Sequence, residues 1–192
     1  MNQRKFWMRW RVRVGYPVGV LYWALARPTP RWILYGGIVA ALGLLVRAMA
    51  AGHLRKDREL ATTGPYACTR NPLYLGSALI AAGFVLAGHS WMAGALVAAY
   101  FGVFYYAVMR NEEEDLRARF GATFTEYAAR VPLFFPRAPH STASETTNAA
   151  EARQTFSWSQ YLRNREYKAF VGTVAGLAIL AVRMWIRTKT GF

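Results

Sequence analysis

The chain has 192 residues, 54% hydrophobic and 18% charged, with 24 Lys and Arg against 10 Asp and Glu and a net charge of +14. That length suits one domain and excludes several, and the apolar share excludes a disordered chain. A single cysteine, Cys68, excludes an intrachain disulfide and a Cys-rich zinc or iron-sulfur site.

The chain opens with Phe6, Trp7 and Trp10 interleaved with Arg4, Lys5, Arg9 and Arg11, the mix of an anchor at the membrane-water boundary. Residues 12–26 form a short apolar run carrying Arg13 and Pro17, either a tilted span or an interfacial helix by composition alone. Residues 31–51 match the length of about 20 residues that a helix needs to cross the hydrocarbon. Two further runs, 73–88 and 91–109, are split only by His89 and Ser90 and predict a tight helical hairpin. Residues 137–155 are a polar, Ala/Ser/Thr-rich linker with no packing signal, expected to be mobile. The segment 156–168 sets Trp158, Tyr161 and Leu162 among basic residues, as a surface helix would, and 169–186 is a last apolar run. Gly15 with Gly19, and Gly172 with Gly176, are small-residue pairs that permit close helix packing.

The charges decide the topology. With the N-terminus in the cytoplasm and five spans, 18 Lys and Arg fall on the cytoplasmic side and four outside, the bias that orients membrane helices. All 10 acidic residues fall inside too, and residues 12–26 are therefore read as a span. The remaining two arginines, Arg47 and Arg183, lie near span ends where they are expected to snorkel. Nucleic-acid binding wants a basic face on a soluble fold, so the basic excess is assigned to anionic headgroups instead. No cleavable signal peptide is expected, because Pro17 breaks the first apolar run and Arg27 and Pro28 follow Ala26. The expectation is an all-α, polytopic membrane protein of about five transmembrane helices, one domain over 1–192, in a bacterial inner membrane. Its motif core is 60–136, and an interfacial helix and span occupy 156–187.

Two cytoplasmic segments carry the residue choices that chemistry would need. In LATTGPYACTRNPLYLG, 60–76, Asn71 followed by Pro72 is the signature of a helix start, with Asn as N-cap. Arg70 just outside that helix and Tyr74 on its first turn bring a guanidinium and a phenol toward one place, while Gly76 lets a ligand or a neighbouring helix come close. Read bare, this is an ordinary capped helix. The second segment is RNEEEDLRARFGATFTEYAARVPLFFP, 110–136. Asn111 is a candidate cap for its acidic first turn, Leu116, Phe120 and Phe124 form an apolar stripe, and Gly121 predicts a break and restart. Pro132 ends the helix. Glu112 or Glu113 can project back toward Arg70, where a carboxylate suits a cationic or hydroxyl-rich ligand.

Together these segments resemble the isoprenylcysteine carboxyl methyltransferase family and the related phospholipid methyltransferases. Those proteins carry GPYxxxRHPxYxG before a membrane hairpin, then EExxL, FGxxYxxY and VPxxxP after it. This chain reads GPYACTRNPLYLG at 64–76, EEEDL at 112–116, FGATFTEY at 120–127 and VPLFFP at 131–136. The usual His is Asn71, which cannot titrate, and the first Tyr after FG is Phe124, which lacks the hydroxyl.

The resemblance implies S-adenosylmethionine at the cytoplasmic membrane surface, with Pro65, Tyr66, Arg70, Asn71, Tyr74, Gly76, Glu112 and Glu113 as its binding residues and Arg70 and Glu113 as the catalytic pair. It implies methyl transfer to a lipophilic small-molecule or lipidated acceptor through a carboxylate. Phospholipid amine N-methylation, and a non-enzymatic scaffold that kept the fold, stand as alternatives. No metal is expected.

Overall fold

The computed structural model describes residues 3–55, 59–138 and 155–190, with side chains described from residue 9 onward. Among the described residues all regular structure is helical, in seven elements: α1 (Gln3–Leu25), α2 (Pro30–His53), α3 (Pro65–Cys68), α4 (Pro72–Gly88), α5 (Trp91–Arg130), α6 (Trp158–Arg163) and α7 (Tyr167–Thr190). Prolines open α2, α3 and α4, where the missing N-H leaves no bond unmade. Three helices, α2, α5 and α7, are long and apolar enough to cross a membrane. The 17-residue α4 is apolar but shorter, and α1 carries Arg9, Arg11 and Arg13 within its 23 residues. Residues 139–154 of the expected mobile linker, and the side chains of Arg4, Lys5, Phe6 and Trp7, lie outside what is described.

The centre of the fold is an antiparallel pair, α2 on α4, built on glycines seven residues apart. A Cβ added to Gly43 would lie 2.6 Å from the Gly76 carbonyl oxygen, and one added to Gly83 would lie 2.5 Å from that of Gly36. The two backbones therefore touch, which lipid-embedded helices exploit for van der Waals packing in place of a hydrophobic driving force. The expected small-residue pairs contribute only half of themselves. Gly15 faces the Tyr100 hydroxyl and Gly176 faces the Phe84 ring, while Gly19 and Gly172 face open space.

Around that pair, α1 lies along α5 through a Tyr100 hydroxyl that donates to the Arg11 carbonyl at 2.9 Å. α7 packs on α2 and α4, and Ala26, Ala87 and Leu180 meet there under Tyr22, Phe84 and Leu177. Leu34, Tyr35, Ile38, Leu42 and Leu45 on α2 stay exposed, as do Val171, Val174, Ile179 and Val182 on α7, the outward apolar face a bilayer requires.

Both lone arginines differ from expectation. Arg183 donates from Nε and Nη2 to the carbonyls of Ala26 and Ala24 at 3.0 and 2.7 Å, and lies over the Trp23 ring. It caps the last turn of α1, supplying donors that the helix end lacks. Arg47 turns inward and is described with the site below. In its second half α5 also departs from the reading: Asn111 caps nothing, because the helix runs straight through it and its amide donates to Ala107 O at 2.7 Å. The break falls at Gly121 as expected, with φ 52° and ψ −123°, a conformation that favours glycine. The helix ends at Arg130, two residues before Pro132.

Candidate functional site

A cavity of about 750 Å³ opens where α2, α3, α4, α5 and the turn before α7 converge, at the end of the bundle that carries the acidic residues. Its floor is built by hydrogen bonds between the two motif segments, more than 60 residues apart in sequence. The chain after α5, residues 131–136, straps the GPYACTRN turn: Arg70 N-H donates to Pro132 O at 2.9 Å, Thr69 Oγ1 to Phe134 O at 2.9 Å and Asn71 Nδ2 to Leu133 O at 3.0 Å. Tyr127 closes the other side, its hydroxyl donating to Tyr66 O at 2.7 Å. Gly64, at φ 58°, turns the chain into α3 directly beneath the His53 ring.

Asn71 is therefore not a side-chain cap. Its backbone carbonyl accepts from Tyr74 and Leu75, starting α4, while its amide is spent on the strap. A neutral hydrogen-bonding group suffices for that contact. Phe124 is fully buried behind the same floor.

On this floor the charged groups meet. Arg70 Nη1 lies 2.7 Å from Glu113 Oε1, and Arg110 Nη1 donates to Glu113 Oε2 at 3.1 Å. Glu113 is only 6% exposed. The Arg70–Glu113 approach lacks hydrogen-bonding alignment, so Arg70 Nε and Glu113 Oε1 are buried polar atoms with no hydrogen-bond partner. Leaving such atoms unsatisfied costs about 1–3 kcal/mol each, more for charged groups. Beside them Tyr74 donates its hydroxyl to Glu112 Oε2 at 2.8 Å, and its ring meets Tyr105 edge-on at 5.7 Å. Burial pushes the phenols of Tyr66 and Tyr127 far above their ordinary range; the charge of Glu112 adds to it at Tyr66, while Arg70 pulls the other way at Tyr127. Both remain hydrogen-bonding phenols at any physiological pH.

Of the eight residues singled out from sequence, Tyr66, Arg70, Asn71, Tyr74, Glu112 and Glu113 line the cavity. Pro65 opens α3 outside the lining, and Gly76 faces Arg47 and Gly43 on α2, serving helix contact. Several polar lining residues were missed, among them Arg47, Glu166, Asn164 and Arg11. Arg47, expected to snorkel, instead donates from Nε and Nη2 to the two oxygens of Glu166, each at 2.9 Å, and from Nη1 to Leu73 O and Ser77 Oγ. Glu166 reaches it from the turn before α7. Asn164 in that turn donates to Ala51 O and Leu54 O, closing the end of α2. Arg11 arrives from α1. The signal for the first pair was present: an arginine inside an apolar run, and a lone acid in the basic stretch 156–168. Among the described residues, no three His, Cys, Asp or Glu side chains are grouped to hold a metal.

At this end of the helical bundle, guanidinium, carboxylate and phenol groups thus converge on one cavity, the lining that a polar, charged small molecule would need. The model of the family described as phospholipid methyltransferase matches residues 32–123, which covers α2, α3, α4 and most of α5. The chain is 34% identical over 137 residues to the cobalt-zinc-cadmium resistance protein CzcN of Cupriavidus metallidurans, covering 67% of this chain and 62% of that protein. It is 34% identical over 136 residues to the nickel-cobalt-cadmium resistance protein NccN of Alcaligenes xylosoxydans xylosoxydans, covering 67% of this chain and 63% of that one. The chain thus spans somewhat under two thirds of the length of these curated relatives. No solved structure matches it.

Proposed function

We propose that this protein is an S-adenosylmethionine-dependent methyltransferase of the membrane that methylates a carboxylate on a lipophilic acceptor, with its site on the cytoplasmic face. On this reading α1 and α4 join α2, α5 and α7 as spans, giving five, and the N-terminus is cytoplasmic. The observation that carries the reading is the buried Arg70–Glu113 ion pair, 2.7 Å between Nη1 and Oε1 with Arg70 Nε left without a hydrogen-bond partner, on two residues that line a cavity of about 750 Å³. That volume is in the range of small-molecule and cofactor sites. The family match supports methyl transfer as the chemistry.

The residues suit the cofactor group by group. Arg70, always cationic, holds the carboxylate of its amino-acid end. Glu112 and Glu113 take its ammonium, and Tyr74 fixes Glu112 by donating to it. Tyr66, Phe120 and Tyr127 offer rings and edges to the adenosine. The cofactor supplies an electrophilic methyl on a cationic sulfur. The protein's work is then to hold a nucleophile in line with that methyl and to exclude water, and proximity and orientation can supply much of such a rate.

A carboxylate nucleophile is already ionised at neutral pH and needs no base. An amine would need one, and Glu113, the best candidate, has both oxygens turned to guanidinium groups at 2.7 and 3.1 Å. This favours the carboxylate. The phospholipid methyltransferase match favours the second reading, N-methylation of a phospholipid amine.

Labelled-methyl transfer from S-adenosylmethionine to a prenylcysteine analogue and to phosphatidylethanolamine, with the protein in nanodiscs, separates the two. Calorimetric titration of the detergent-solubilised protein with S-adenosylmethionine tests both at once. Absence of binding at millimolar cofactor sinks the enzyme in favour of a scaffold. The two relatives named above carry metal-resistance names, and growth of a deletion strain on cobalt, zinc, cadmium and nickel asks whether this chain shares that phenotype.

A further inference from the structure

Arg11 stands between the main cavity and a second groove. Arg11 lines the main cavity and also a separate groove of about 260 Å³ between α1 and α5, whose other walls are Val12, Gly15, Tyr16 and Tyr100. Arg11 and Gly15, like Val12 and Tyr16, are four residues apart, so the groove climbs one face of α1 by more than a turn, away from the charged floor. Its upper walls are apolar or aromatic, and Val12 and Tyr16 are 53% and 74% exposed. Gly15 keeps it open, since only the Tyr100 hydroxyl and ring carbon come near the position of its missing Cβ.

The head of this groove is cationic. The Arg11 guanidinium lies 5.7 Å from the centre of the Tyr105 ring, and among the described residues no hydrogen bond or ion pair engages it. Arg47 and Arg70, which also line the cavity, are committed, Arg47 to Glu166 and Arg70 to Glu113. Tyr105 in turn packs edge-on against Tyr74, which holds Glu112. An anionic group at Arg11 therefore sits one aromatic layer from the carboxylates that line the main cavity, with its hydrocarbon chain following the groove into lipid.

We propose that Arg11 and the α1–α5 groove form the acceptor subsite, and that its ligand is an anionic amphiphile, a carboxylate or phosphate headgroup on a long apolar chain. This rests on the methyltransferase reading for its role as acceptor, but not for the existence of the subsite. A guanidinium next to an open apolar groove selects charge by its head and chain length by its wall.

The test is direct binding to the purified full chain in a non-ionic detergent, with dodecanoate, dodecyl phosphate, dodecylamine and inorganic phosphate as probes. Wild type is expected to bind both anionic amphiphiles and to reject the amine and the chainless phosphate; the tighter of the two names the headgroup. Arg11→Gln should weaken the anionic amphiphiles roughly ten- to hundredfold, the loss of one charge-assisted contact. Arg11→Lys should keep most of that affinity, and Arg11→Gln should weaken the anionic amphiphiles more than S-adenosylmethionine, since Arg11 lines the main cavity as well as the groove. Equal binding of dodecanoate by wild type and Arg11→Gln, or equal binding of dodecylamine, overturns the subsite. So does binding of inorganic phosphate alone, or a loss confined to S-adenosylmethionine, which moves Arg11 to the cofactor side. Should wild type bind dodecanoate through Arg11 but no S-adenosylmethionine, the methyltransferase reading falls and the amphiphile site stands.

Discussion

The Arg47–Glu166 pair makes the most exacting quantitative test. Its two side chains are 20% and 11% exposed, and two guanidinium nitrogens meet two carboxylate oxygens at 2.9 Å. Removing one partner of a buried pair costs about 3–5 kcal/mol because the other charge is left without compensation. The residual exposure lets water relieve part of that, and Arg47 keeps Leu73 O and Ser77 Oγ as acceptors. We therefore predict that Glu166→Ala destabilises the protein by about 2–3 kcal/mol in equilibrium unfolding by sodium dodecyl sulfate in mixed micelles. Arg47→Met should cost a similar amount, and the double variant much less than the sum. The coupling energy from that cycle is expected near 2 kcal/mol. Coupling below about 0.5 kcal/mol, the scatter of independent sites, refutes the claim that this pair ties the C-terminal turn to α2. A second readout separates structure from function: Leu73 and Ser77 flank Tyr74, so Glu166→Ala should weaken S-adenosylmethionine, while Glu166→Gln, which can still accept from Arg47, should restore most of the binding.

Three further outcomes follow from the geometry. Gly83→Val should destabilise by about 1–3 kcal/mol or more, since its Cβ would sit 2.5 Å from a backbone carbonyl, whereas Gly172→Ala, facing open space, should gain a few tenths to 1 kcal/mol from helix propensity; paired unfolding curves check both. Phe124→Tyr, which restores the hydroxyl of the resembled family, should destabilise by about 1–3 kcal/mol rather than rescue anything, because the ring is fully buried and the new hydroxyl has to find a partner there. Tyr66 and Tyr127 bind their protons more tightly folded than unfolded, so their contribution is whole below pH of about 10 and shrinks as pH rises above it, when only the unfolded chain ionises. Absorbance at 295 nm should give the same tyrosinate amplitude at pH 11 for wild type and for Tyr127→Phe, and a smaller amplitude in the variant counts against the buried phenol.

Local patterns carried the parts of the fold that depend on neighbours in sequence. The hairpin at His89 and Ser90, the break at Gly121 and the helix start at Pro72 were all legible, because backbone conformation at glycine and proline is set within a few residues. The convergence of Arg70, Tyr74, Glu112 and Glu113 was legible only as two motifs at matching ends of a hairpin, and their pairing followed from that topology. Asn71 and Asn111 show where local logic stops. Both have the chemistry of a cap, yet the strap takes one amide and a continuing helix takes the other. Arg47 and Glu166 are 119 positions apart. No periodicity couples two such residues, so the fate of each was decided by packing that composition does not encode. The heptad of glycines between α2 and α4 was visible in the letters but ambiguous, since nothing in one strip of sequence says which second strip it will touch.

The turn that carries Asn164 and Glu166 has a consequence for biosynthesis. A ribosome that has released residues 1–136 has delivered every part of the two motifs, yet the last carbonyls of α2 still lack Asn164 and the Arg47 guanidinium still lacks its counter-charge. Until the turn before α7 has been made, that arginine has no carboxylate opposite its Nε and Nη2. Synthesis of residues 164–166 is thus the step that closes this electrostatic pair, well after both motifs have been made.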